Sequence, residues 1–257
     1  MRRTLLATIA LGVAVAVAVA GVSVAAKPTV VRAGNLVMRI NGGVSPQKLP
    51  RGRLAPITLR ASGNIRTTDG SHPPALREVR IDFDRHGAIN ARGLKVCRSG
   101  QLQARDTQSA KKACRGSVVG HGSTRVRVAF PESTPFEASG PLVLFNGGVR
   151  RGVTTMFIHA YVNVPAPTAI VTTVKVRKIR KGRYGTRAIA RVPVIAGGSG
   201  SVTHFNLAVR RIYRANGRRQ SYLLARCGRG RLFAKAIAFY RDGTRLAGNV
   251  VRPCRPR

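Results

Sequence analysis

The pattern of apolar and polar positions changes character at residue 27. Residues 5–26, LLATIALGVAVAVAVAGVSVAA, carry no charge at all. Beyond them, Gly, Pro, Asn or Asp interrupts the chain every ten residues or so, and alternating or β-branched runs lie between. Successive side chains of a strand point to opposite faces, so strict alternation marks a half-buried antiparallel strand. In STRVRVAF, Val126, Val128 and Phe130 share one face while Arg125 and Arg127 share the other. In TTMFIHAYVNV the apolar set is Met156, Ile158, Ala160, Val162 and Val164; in HFNLAV it is Phe205, Leu207 and Val209.

This rhythm predicts strands near 35–40, 56–62, 78–84, 124–130, 141–145, 155–164, 169–177, 186–194, 202–212, 220–227, 232–240 and 245–252. Many short strands with regular turn signals predict an all-β, antiparallel sandwich-like domain. Hairpins are expected at Asn216-Gly217 and Asp242-Gly243, since both dipeptides supply the positive φ of tight turns. One short helix is expected over TQSAKKAC, capped by Asp106, with Lys111 and Lys112 near its negative end. The PAPT stretch, 165–168, is a candidate boundary between two halves. It is short, and the halves share no repeat, so a single domain over 27–257 is preferred.

The first 26 residues read as a secretory signal. A basic start, an apolar run and small residues at Ser23-Val24-Ala25 or Val24-Ala25-Ala26 are its parts. Arg2-Arg3 lacks the rest of a twin-arginine motif. The alternative is a retained membrane anchor, because about 20 apolar residues can span a bilayer. The richness in Ala, Val and Gly, together with the cleavage residues, favours removal after Ala25 or Ala26. Export makes the four cysteines disulfide candidates. Three pairings are possible; Cys97–Cys114 and Cys227–Cys254 are favoured because each closes a short loop. No C-x-x-C or H-x-x-x-H spacing supports a zinc site instead.

Charge alters the picture most. The chain has 46 Lys and Arg against 8 Asp and Glu, a formal net charge of +38. Such a balance repels itself unless it is spread over the surface and screened. It favours anionic partners: cell-wall polymers, lipid headgroups or other polyanions. The competing explanation is compositional, with Arg filling a solvent face, although that accounts less well for the scarcity of acids. Two runs stand out. Residues 175–187 hold Lys175, Arg177, Lys178, Arg180, Lys181, Arg183 and Arg187; residues 210–219 hold Arg210, Arg211, Arg214, Arg218 and Arg219. If neighbours, they would form one anion site that includes Tyr184 and Tyr213. With no Trp, stacking platforms for bases or sugars are thin, and no specific nucleic-acid readout is expected.

Candidate catalysis centres on RIDFDRHG, 80–87. On a strand, Val79, Ile81 and Phe83 share one face; Glu78, Arg80, Asp82 and Asp84 share the other, an expected solvated ion ladder that ends in a turn at Arg85-His86-Gly87. The alternative is a hydrolase whose metal or proton chemistry uses Asp82, Asp84 and His86, or other scattered histidines. Of those, His72 precedes Pro73-Pro74, His121 lies in GHGS beside Ser123, His159 is mid-strand and His204 begins a strand. The chain has no G-x-S-x-G nucleophile elbow. The turn is the preferred reading, and no cofactor, metal site or catalytic residue is expected.

Several longer blocks carry a resemblance. They are IRTTDGSHPPALREVRIDFDRHGAINARGLKVC (65–97), LVLFNGG (142–148), GRYGTRAIARVP (182–193), and the ARC, FYRDGT and C spacing from Ala225 to Cys254. In these blocks the chain resembles a group of secreted actinobacterial proteins with no assigned activity. The resemblance implies an exported, cysteine-paired, β-rich domain and no catalytic residues. The expectation is therefore an exported, noncatalytic protein at or near the cell envelope that binds anionic polymers.

Overall fold

The computed structural model describes residues 27–164 and 166–257; the apolar leader, with its signal and anchor readings, and Pro165 lie outside the described residues. Strands follow one another as β1 (Thr29–Ala33), β2 (Leu36–Ser45), β3 (Lys48–Leu49), β4 (Ala55–Pro56), β5 (Thr58–Thr67), β6 (Leu76–Asp84) and β7 (Gly87–Ile89). After the helix α1 (Thr107–Ala113) come β8 (Val118–Val128), β9 (Phe136–Arg150), β10 (Val153–Val162), β11 (Thr168–Lys181) and β12 (Tyr184–Arg191). The rest are β13 (Gly200–Val209), β14 (Ile212–Ala215), β15 (Arg218–Ser221), β16 (Leu223–Ala225), β17 (Arg231–Tyr240), β18 (Arg245–Pro253) and β19 (Arg255–Pro256).

Twelve of these strands form one antiparallel sheet, in the order β1-β2-β5-β13-β8-β9-β10-β11-β12-β6-β17-β18. The sheet curls until its two edges meet, which covers edges that would otherwise expose unpaired backbone. At the seam the Thr29 hydroxyl donates to the Asn249 carbonyl at 2.8 Å. Thr29 pairs with Ile40, so β2 runs on past the end of β1. Over that stretch Arg252 of β18 reaches across, donating to the Gly42 carbonyl and, at 2.6 Å, to Asn41 Oδ1.

Inward-facing apolar residues close the two ends of this barrel-like sandwich. Leu36, Met38 and Ile65 pack on Leu76, Ala238, Tyr240 and Leu246 across the seam. The other end is filled by Leu49, Ile57, Tyr222 and Leu223 with Cys227 and Cys254, and the small sheet β4-β16-β7 contributes to that cluster. Both favoured disulfides, Cys97–Cys114 and Cys227–Cys254, are present.

The alternation found in the sequence becomes inward and outward faces. Val126 and Val128 are buried, and Met156 and Ile158 point inward. Phe130 and Val164 lie beyond their strand ends and are exposed. β10 departs from the half-buried pattern: Phe157 and His159, on its outer face, are buried too. The segment from Cys97 to Cys114, with α1, packs over β9 and β10 and joins Leu102, Ala110, Val143, Phe145 and Phe157 in one cluster. Asp106 caps α1 as expected, accepting from the Gln108 and Ser109 amides at 2.7 and 3.0 Å. Asn216 and Gly217 both take positive φ in a two-residue hairpin. Asp242-Gly243 instead lies in a four-residue loop, where Asp242 accepts from the amide and hydroxyl of Thr244.

Candidate functional site

The acidic stretch of β6 ends in a turn, with Asp82 and Asp84 buried rather than solvated and Glu78 half-buried. Asp82 and Asp84 are 5 % and 6 % exposed. The neighbouring strands explain this. On the outer face, Asp82 stands between Arg187 of β12 and Lys235 of β17. Arg187 binds both carboxylate oxygens, Nε to Oδ1 at 2.6 Å and Nη2 to Oδ2 at 2.8 Å. That hydrogen bonding holds the Asp82 carboxyl below the usual carboxylate range and pushes the Arg187 guanidinium up. A bidentate fork of this kind is the strongest common form of ion pair.

Asp84 builds the turn itself. Its Oδ1 accepts from the His86 amide at 2.9 Å and meets His86 Nδ1 at 2.7 Å. Its Oδ2 accepts from the Phe233 amide at 3.2 Å. The His86 carbonyl accepts from Arg226, and the ring lies against Gly228, beside the disulfide at Cys227. Asp82, Asp84 and His86 are thus engaged as ties between strands. Among the described residues, no three His, Cys, Asp or Glu side chains converge as a metal-binding set.

The remaining histidines are dispersed into separate local networks. His72 Nε2 meets the Ser201 hydroxyl at 3.0 Å, and Ser201 in turn donates to the Pro73 carbonyl. Asp69 accepts from Ser71 and Asn35, which depresses its pKa far below the ordinary value. The IRTTDGSHPP block is thus held by bonds among Thr67, Asp69 and Ser71 and by Asn35 and Ser201. His159 is fully buried; its Nε2 donates to the Arg105 carbonyl at 2.9 Å, and Phe145 meets it edge-on. Desolvation lowers the pKa of both His72 and His159. In GHGS, a side chain at Gly122 would collide with the Asn206 carbonyl, so the glycine serves close strand pairing. Ser123 accepts from Asn206 Nδ2, and His204 Nδ1 meets Asn64 Oδ1 at 2.7 Å.

The basic runs divide by side-chain environment. Lys175, Arg177, Lys178, Arg180, Lys181 and Arg183 are all exposed, whereas Val174 and Val176 between them point inward. Arg183 also lies over the Phe233 ring, 4.6 Å from its centroid. Arg187 is engaged by Asp82. In the second run Arg210, Arg214, Arg218 and Arg219 are exposed and Arg211 is half-buried. Tyr213 is buried, its hydroxyl at 2.9 and 3.0 Å from the Asn90 and Arg92 carbonyls, so it does not belong to an exposed surface. Both runs touch the same connecting segment. The Arg85 amide donates to the Arg183 carbonyl, and Tyr213 sits on Asn90 and Arg92.

An apolar cavity of about 280 Å³ lies inside the sheet. Val79, Ile81 and Phe83, the apolar face of the acidic strand, form part of its wall, with Met156, Ile158, Val174, Val176 and Leu207 among its other lining residues. Sequence periodicity placed Val79, Ile81, Phe83, Met156, Ile158 and Leu207 on apolar strand faces but gave no sign that their side chains leave space. Two polar positions also carry more than their sequence signalled. Asn146, fully buried, donates its amide side chain to the Lys95 carbonyl at 3.0 Å, while its backbone bonds Cys97 and Ser117. Arg252 closes the seam. Neither stands out from the many Asn and Arg of the chain until the strands are in register.

Comparisons with family models, curated proteins and solved structures found no match.

Proposed function

We propose that this is an exported, noncatalytic binding protein of the cell envelope that adsorbs to polymers bearing repeated phosphate or carboxylate groups. The observation that carries the reading is the run of exposed cations along β11 and its turn. Lys175, Arg177, Lys178, Arg180 and Lys181 are exposed there, and among the described residues none forms an ion pair. A row of uncompensated cations on a rigid strand attracts polyanions over the screening distance, about 8 Å at physiological ionic strength. The arginines at 210, 214, 218 and 219 are exposed too and add further cations without ion-pair partners among the described residues. Export is supported by the leader pattern, by two disulfides and by the resemblance to secreted actinobacterial proteins.

The test is retention of the oxidised protein on isolated Gram-positive cell wall and on an uncharged polysaccharide, at about 0.15 M and about 1 M salt. Retention on wall alone that is lost at high salt supports the proposal. Equal weak retention on both matrices overturns it and leaves the charge as a solvated surface.

A further inference from the structure

The interior cavity has no place in a surface-adsorption function. Folded interiors are close-packed, with few voids larger than a water molecule. At about 280 Å³ this one is nearly twice the roughly 150 Å³ apolar void that suffices to take up benzene. Its position explains why it stays open. The seam cluster around Tyr240 fills one end of the barrel and the cluster around Tyr222 fills the other. Between them the walls carry small residues, Ala188, Ala190, Ala234 and Ala236, opposite Ile, Leu and Val. The side chains that reach inward are too short to meet in the middle.

The lining indicates what would occupy the space. It is almost wholly aliphatic, so it offers nothing to the hydrogen-bonding groups of a sugar, nucleotide or peptide, and burying those unpaired is costly. Its polar residues gather chiefly at the seam, where β2 continues beyond β1. Asn41 and Arg252 stand there, and Arg252 has no carboxylate partner among the described residues. An apolar interior with a cationic edge suits a molecule with an aliphatic chain and an anionic head. We infer that the barrel interior binds the aliphatic chain of a single-chain anionic amphiphile, with its head at the Arg252 edge of the seam. This site is distinct from the run of cations along β11, and either can fail without the other.

The methionines provide an internal control. Met156 lines the cavity, whereas Met38 belongs to the packed seam cluster. Full-length protein purified without detergent and labelled at the Met methyl carbons would be titrated with dodecanoate, dodecyl phosphate and dodecanol. Saturable movement of the Met156 methyl resonance at one ligand per chain, with Met38 unmoved, is the expected result. The two anions distinguish a carboxylate from a phosphate head, and dodecanol should bind roughly tenfold more weakly than the better anion. Ala188→Phe and Ala234→Phe, which fill the space from the two strands that flank β6, should each weaken binding roughly tenfold or more. Met156 and Met38 moving together, or no saturable shift in the wild type, would overturn the site whatever the variants do. Equal affinity for dodecanol would overturn the assignment of the head.

Discussion

Arg187 and Asp82 face each other across β12 and β6 with both carboxylate oxygens held. The pair lies within a row across four strands: Arg177, Arg187, Asp82 and Lys235. Asp82 is the single acid among three cations. Removing it leaves like charges side by side on adjacent strands, which is destabilising. Asp82→Asn is expected to lower stability by about 3 kcal/mol, the scale for breaking a buried pair. Replacing both partners, Asp82→Leu with Arg187→Leu, should cost less than either single change. Urea melts of the three variants decide it, and strictly additive losses would argue against coupling.

Acid should unfold the protein through two kinds of group. Asp82 has a depressed pKa in the fold, so its contribution is present above the ordinary carboxylate pKa and is lost as pH falls through the folded value. His159 and His72 are depressed for the opposite reason, because burial disfavours their charged forms. Above about pH 6.5 they are neutral in both states and contribute no slope. Below it the unfolded chain takes up protons that the native state refuses. Stability then falls by up to about 1.4 kcal/mol per pH unit for each, until the folded pKa is reached. His159→Gln should flatten the decline below pH 6.5 in a stability–pH series, whatever it does to absolute stability.

The two disulfides should fail differently. Loops of 17 and 27 residues give each a chain-entropy contribution of roughly 3 kcal/mol. Cys227 and Cys254 lie in the cluster that closes one end of the barrel, so Cys227→Ala with Cys254→Ala should lower the main melting transition. Cys97 and Cys114 anchor the segment laid over β9 and β10. Cys97→Ala with Cys114→Ala should chiefly increase amide exchange over residues 97–117. Matching exchange profiles for the two double variants would contradict this division.

Tyr213 and the β11 cations should separate stability from retention on wall. Tyr213→Phe removes the hydroxyl that bonds the Asn90 and Arg92 carbonyls and should cost about 1 kcal/mol with no change in retention. Arg177→Gln with Arg180→Gln should leave the melt nearly unchanged and reduce the salt dependence of retention. If the paired change leaves retention as it was, these arginines are not the contact surface.

Local chemistry in the sequence decided a large part of this protein. Period-two alternation places Val126, Met156, Ile158 and Leu207 inward without knowledge of any partner strand. Asp106 caps α1, and Asn216-Gly217 makes its turn, because those preferences act over a few residues. Short loop closure was enough to favour the two disulfides that are present. Tertiary structure decided which outward residues remain in water. From periodicity Asp82 reads as solvated, and His159 as a packed or half-buried side chain with Phe157 on its face. They are buried because Arg187 and Lys235 flank the first and the α1 segment covers the others. The same holds for the interior. Alternation fixes which side chains point inward, but the space between them depends on how twelve strands curl and how far opposite walls stand apart. That distance is a property of the closed sheet, and no single strand encodes it.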